Sequence, residues 1–129
     1  MNSLTPLLNV QDVTRSLAFW RDLLGFTVVG SYDWEGRLAW ARLQKGQVQV
    51  MLNGRGGDPG HRLARERYTD AVLCIAVDDV HALVRDLRAK GLQVEDPEAQ
   101  EYGLDEIVLR DPDGYDLAFS SPSDLSARR

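Results

Sequence analysis

Two tryptophans and an arginine stand close together in the first half of the chain, Trp34, Trp40 and Arg42, with Tyr32 beside them. Indole rings offer a large apolar contact at small entropic cost and stack on flat heteroaromatic ligands. Trp34 and Trp40 are therefore candidate ligand-binding residues, although Trp40 fits a groove or a core equally well and Trp34 would also serve as a dimer contact. Arg42, two residues beyond Trp40 and so on the same face of a strand, could fix an anionic or carbonyl group, or else pair with a neighbouring acid. Asp33, Glu35, Asp105, Glu106 and Asp116 supply negative charge that would draw a cationic ligand or simply form a solvated rim. Tyr102, next to Gly103, reads as a movable wall. Covalent chemistry finds less support. Cys74 lies mid-strand between Leu73 and Ile75 with nothing nearby to activate it, which predicts a small apolar filler. His61 and His81 read as solvated surface histidines. No serine has a nucleophile-elbow context, and the glycine stretch from 54 to 60 lacks the Lys-Ser/Thr of a phosphate loop.

The elements that must position these residues come in two similar sets. The run from Val10-Gln11-Asp12 to Leu24-Gly25 recurs in outline, about half the chain later, as Val77-Asp78-Asp79 to Lys90-Gly91. In the first copy, residues 4–10 read as a strand and Asp12 as an N-cap. Val13, Leu17, Trp20 and Leu24 form the buried stripe of a helix that Gly25 ends. Strands follow at 26–32, 37–43 and 47–52, with turns at 33–36 and 44–46. In the second copy a strand at 71–77 precedes a helix striped by Val80, Leu83, Val84 and Leu87. Strands at 92–95, 106–110 and 115–120 complete it. The stretch from 54 to 68 has the composition of a mobile linker, and the tail from 121 to 129 reads as frayed.

Period-2 alternation then sorts the strands. One face, under the helices, takes Leu8, Val10, Val48, Val50, Leu73, Ile75, Val77, Leu117 and Phe119. The opposite face takes Thr5, Leu7, Asn9, Trp40, Arg42, Gln49, Met51, Val72, Cys74, Asp116 and Ala118. Neither copy can bury its apolar face alone, so the two should form one domain with a groove between them.

The totals are compatible with this. A chain of 129 residues with 43% hydrophobic content suits a single domain, and a net charge of −5 argues against nucleic acid as partner. One cysteine excludes an internal disulfide. Without a secretory pattern or a membrane-length apolar run, the expectation is a cytoplasmic protein with no membrane partner.

The repeat, with Ser16-Leu17-Ala18-Phe19-Trp20-Arg21-Asp22-Leu23-Leu24-Gly25-Phe26 and Arg110-Asp111-Pro112-Asp113-Gly114-Tyr115, resembles the vicinal oxygen chelate superfamily of glyoxalases, extradiol dioxygenases and bleomycin-resistance proteins. That resemblance implies an α+β fold: two tandem βαβββ modules (4–53 and 69–121, joined by 54–68) forming a curved mixed sheet around a concave groove, helices outside. It also implies four metal-ligand positions, which fall here on Thr5, Gln49, Val72 and Ala118. Two of these have no donor and two are weak neutral oxygens, so neither metal nor cofactor is expected. The opening run Leu4-Thr5-Pro6-Leu7-Leu8-Asn9-Val10 is similar to the bleomycin-resistance subgroup, whose members bind a drug as homodimers.

These readings lead to a non-catalytic module that sequesters a small aromatic or cationic molecule, with Leu7, Trp34, Trp40, Arg42, Gln49, Met51, Tyr102 and Asp116 as binding residues and no catalytic residue. The alternative is a divergent glyoxalase- or dioxygenase-like enzyme, a lyase or oxidoreductase, using a displaced metal or Glu106 or Asp116 as base. A structural role, with the aromatic patch as an interface, is the third.

Overall fold

The computed structural model describes residues 1–55 and 57–123. Of the tail expected to fray from 121, Ser121 and Pro122 instead belong to the last strand and Ser121 is buried, while 124–129 lie outside the described residues. The fold is α+β, with eight strands among the described residues, in two four-stranded mixed sheets of identical connectivity. The chain divides into two compact units. The first comprises Met1–Glu66 with Asp111–Gly114, and the second comprises Arg67–Arg110 with the chain from Tyr115 on.

In the first unit, β1 (Leu7–Asn9) leads to α1 (Val13–Leu17), which widens into a π-helical stretch at Ala18–Leu23. Asp12 starts it as expected, its carboxylate accepting the Arg15 N–H at 3.3 Å. Val13, Leu17, Trp20 and Leu24 are all buried. Trp20 packs edge-on against both Phe19 and Phe26, with ring centroids 5.6 and 5.4 Å away. Gly25, at φ +84°, turns the chain out of the helix.

The strands β2 (Thr27–Trp34), β3 (Arg37–Lys45) and β4 (Val48–Asn53) follow, and the order across the sheet is β1-β4-β3-β2, with β1 parallel to β4. The first hairpin turns on Glu35 and Gly36 alone, both with positive φ, the geometry of a two-residue type I′ loop. The expected four-residue turn at 33–36 is therefore shorter, and Trp34 is a strand residue. The register of β2 against β3 slips twice, between Val28 and Gly30 and between Tyr32 and Asp33. Leu8, Ala41, Leu43, Val50 and Leu52 form the buried face of this sheet.

The second unit repeats the plan with β5 (Val72–Ala76), α3 (Val80–Ala89), β6 (Glu98–Ala99), β7 (Leu104–Arg110) and β8 (Asp116–Pro122), ordered β5-β8-β7-β6. Asp79 caps α3 through the His81 and Ala82 N–H groups, the counterpart of Asp12. Val80, Val84 and Leu87 are buried, as are Ile107, Leu109, Leu117 and Phe119 on the sheet.

Two further expectations fail. Residues 92–95 form no strand, because the Val94 carbonyl is taken by the Arg88 guanidinium at 2.6 and 3.0 Å. Pro97, lacking an N–H, delays pairing further, so β6 is only two residues long. Nor is the linker featureless: it contains α2 (Gly60–Leu63), where buried Arg62 donates to the carbonyls of Asp113 (2.7 Å) and Asn9 (3.1 Å). No helix among the described residues is long and apolar enough to cross a membrane.

Candidate functional site

Because β4 and β3 alternate cleanly, the polar and bulky residues not under the helix all emerge on one face of the first sheet. Leu7 pairs with Met51 and Met51 with Arg42, while Asn53 pairs with Trp40 and Trp40 with Tyr32. Arg42 is the hub. Its guanidinium donates to the Gln49 side-chain oxygen and to the Met51 sulfur (3.4 Å), and the Gln49 amide in turn donates to Gln44 at 3.2 Å. Asn53 donates to Asn9 at 3.0 Å. The Trp40 ring lies against Gly30, where an added Cβ would sit 3.6 Å from the indole.

A cleft of about 440 Å³ opens at the Trp40 end of this sheet. Tyr32, Trp34 and Trp40 supply its aromatic wall, and Arg37, Arg55 and Asn53 its polar groups. Tyr32 and Trp34 are 55% and 49% exposed, so their rings are available to a ligand. Asp12 also lines the cleft, its carboxylate held by the helix cap with its charge kept, so the two arginines outnumber it. Neither Arg37 nor Arg55 holds an acid among the described residues. The cleft is therefore cationic and aromatic, suited to a flat ring carrying acceptor atoms.

Six of the expected site residues, Leu7, Trp34, Trp40, Arg42, Gln49 and Met51, lie in this unit. Leu7, Trp40, Arg42, Gln49 and Met51 share its open face, and Trp34 joins Trp40 in the cleft. Tyr102 and Asp116 belong to the second unit. Asp116 is buried and gripped by Arg110, at 2.8 Å from Nε and 3.3 Å from Nη2. That guanidinium holds its carboxyl below the usual range against the opposing effect of burial, and the Tyr68 N–H adds to the lowering. Its charge is thus already balanced, contrary to the expectation that it would face a cationic ligand.

Tyr102 donates its hydroxyl to one oxygen of Glu106 at 3.2 Å, and Tyr68 donates to the other at 3.0 Å. Burial first, then the hydrogen bond to Glu106 and its charge, push the Tyr68 phenol from 10.0 up to about 12. The proton is held more tightly folded than unfolded, so this contribution to stability is complete below pH 10 and lost as the pH rises through about 12. An ultraviolet titration of tyrosinate should place Tyr68 late, and Glu106→Gln should move it back towards 10. An unchanged midpoint in that variant would assign the whole effect to burial.

Residue-level reading missed Tyr68, Arg37, Arg55 and Asn53. Tyr68 lies in the linker with φ +68°, a conformation no one expects of a tyrosine, and exposed arginines carry no distinguishing pattern. Cys74 is exposed rather than filling the core, because it alternates onto the open face of β5. His81 is not simply solvated either: its ring lies 2.7 Å from Asp105.

The four positions at which the resemblance implies metal ligands do not fit a transition metal. Val72 and Ala118 have no donor atom, and Ala118 is buried. Gln49 has the Arg42 guanidinium on its oxygen, which repels any cation there. Among the described residues no group of three or more His, Cys, Asp or Glu side chains could hold a metal ion.

No functionally curated protein matches the chain. Among solved structures, a bleomycin-binding protein crystallised with bleomycin is 26% identical over 94% of this chain and 98% of its own, with a TM-score of 0.70. The bleomycin resistance determinant of transposon Tn5 is 25% identical over 95% and 98%, with a TM-score of 0.71. A lactoylglutathione lyase from Agrobacterium tumefaciens, 19% identical over 93% of both chains with a TM-score of 0.65, shares the fold. The sequence model of one family matches residues 2–119, and on that match the chain belongs to the Glyoxalase/Bleomycin resistance protein/Dioxygenase superfamily.

Proposed function

We propose that this protein binds a small, flat organic molecule one for one without transforming it, as a sequestration or resistance-type module. The observation that carries the reading is the cleft in which Tyr32, Trp34 and Trp40 stand beside two arginines with no acidic partner among the described residues. Its volume of about 440 Å³ lies within the roughly 300–1,000 Å³ usual for small-molecule sites. Arg42, locked by Gln49 and Met51, would present its remaining donors from a fixed position, and Leu7 would add apolar contact. Similarity to a bleomycin-binding protein and to a bleomycin resistance determinant supports a drug-like ligand. The working unit in this reading is one domain of two modules, acting as a homodimer in the cytoplasm.

The enzymatic alternative draws little from the site. Asp116 is held ionised by Arg110, which makes it a weak base. The implied metal positions carry no imidazole or carboxylate. Metal analysis of untagged protein separates the readings, since a stoichiometric, tightly held transition metal would favour the enzyme.

Thermal-shift measurements with bleomycin, planar aromatic antibiotics and common metabolites test the proposal directly. A binder at 100-fold its Kd should stabilise the fold by about 2.7 kcal/mol. Trp40→Ala should then weaken that ligand by about tenfold to a hundredfold, read from quenching of the remaining tryptophans. A panel without a single shift, or binding indifferent to Trp40→Ala and Trp34→Ala, would overturn it.

A further inference from the structure

The second unit contains a cluster the proposed function does not use. Glu106 stands on the open face of β7, with a phenol hydroxyl on each of its two oxygens. Both donors are neutral, so they fix the carboxylate without cancelling its charge. Among the described residues no cation forms an ion pair with Glu106. The arginines whose charges act nearby, Arg110 and Arg67, act on Asp116. The result is a negative charge anchored between two phenol hydroxyls, and Tyr68 and Tyr102 are themselves 52% and 63% exposed.

The backbone at Tyr68 bears on why this arrangement exists. A bulky residue at φ +68° is strained and persists only where its surroundings impose it. Here the Tyr68 N–H is held by Asp116 at 3.2 Å, and Asp116 is held by Arg110. That largely buried pair holds the Tyr68 backbone in the conformation from which its hydroxyl reaches Glu106. Residues held in such backbone conformations cluster at ligand-binding and switch positions.

We infer that Tyr68, Glu106 and Tyr102 form a site for an alkylammonium group, quaternary or protonated, carried by a small molecule. Aromatic rings attract a cation through their quadrupoles, best when the cation is poorly hydrated, and the carboxylate supplies the counter-charge. Small metal ions are disfavoured, because one carboxylate and two phenols are too few hard oxygen ligands to replace their water. The inference concerns the second unit alone, so failure of flat-ring binding in the first leaves it standing.

Choline and its neutral isostere 3,3-dimethyl-1-butanol provide the test, followed by NMR on the whole protein. Choline should give saturable shifts at residues 68, 102 and 106, with a Kd of about 10 mM or tighter, and the isostere should bind at least about tenfold more weakly. Glu106→Gln should cost choline about tenfold while leaving the isostere unchanged. Tyr102→Leu, a replacement at an exposed turn, should weaken choline about fivefold and keeps the question open to measurement if Glu106→Gln fails to fold. Equal binding of choline and isostere, indifference to the variants, or no shift up to about 100 mM choline would overturn the site.

Discussion

A Gly114→Ala variant should lose about 2–4 kcal/mol of folding stability, from overpacking together with the left-handed backbone penalty. Gly114 sits at φ +88°, where a Cβ is strained whatever the space around it. There is no space either. An added Cβ would lie 2.6 Å from the Cβ of Arg62, 2.9 Å from its carbonyl carbon and 3.0 Å from the Leu63 nitrogen. Two of those atoms are backbone of α2, so relief requires moving the helix and, with it, the hydrogen bonds from Arg62 to Asp113 and Asn9. At this chain length the loss corresponds to a fall in Tm of roughly 8–20 °C. Urea denaturation followed by circular dichroism would measure it, and a variant melting within about 2 °C of the parent would refute the packing argument.

Asp113→Ala should be comparably severe, at about 2–5 kcal/mol. The carboxylate has no exposed surface and accepts three hydrogen bonds: from the Gln11 N–H (2.8 Å), Arg15 Nη2 (3.0 Å) and the Ser16 hydroxyl (2.9 Å). It therefore ties the residues around the start of α1 to the turn that follows β7. Alanine leaves the Ser16 hydroxyl, itself buried, without this acceptor, whereas half-exposed Arg15 can turn to water. Asp113→Asn keeps the shape but offers an amide to at least one donor, so it should recover about half of the loss. Ser16→Ala in the Asp113→Ala background should cost much less than in the parent, because the two side chains share one interaction. Additive effects would place the contribution of Asp113 elsewhere.

Much of the fold was legible because local and global signals agree. Asp12 and Asp79 each cap a helix, Gly25 and Gly91 each end one with positive φ, and the alternation of β4 buries Val50 on the face that periodicity assigns to the helices, whereas β8 is buried on both faces from Asp116 to Phe119. The repeat was legible for the same reason. The losses came where a tertiary partner overrides local preference. Arg88 removes a carbonyl from the stretch at 92–95, and Arg62 pins a glycine-rich linker that composition alone marks as loose. In the site, alternation placed Trp40, Arg42, Gln49 and Met51 on one face, but it carries no information about partners. That Arg110 occupies Asp116, or that Tyr68 reaches Glu106, depends on a cross-strand pair and on a strained linker residue. Trp34 was placed in a turn because aspartate, glutamate and glycine surround it, and the tighter Glu35-Gly36 loop returns it to the strand.

The two register slips in β2 have a consequence for how concentrated this protein can become. An eight-residue outer strand with unbroken pairing would expose a continuous ladder of N–H and C=O groups, a template on which another chain could stack. Each irregularity bends and twists the strand, so a newcomer finds no more than a few aligned groups at a time. In the proposed sequestering role, the protein would have to accumulate to its target's own concentration. An edge that resists fibre-like growth makes such crowding tolerable.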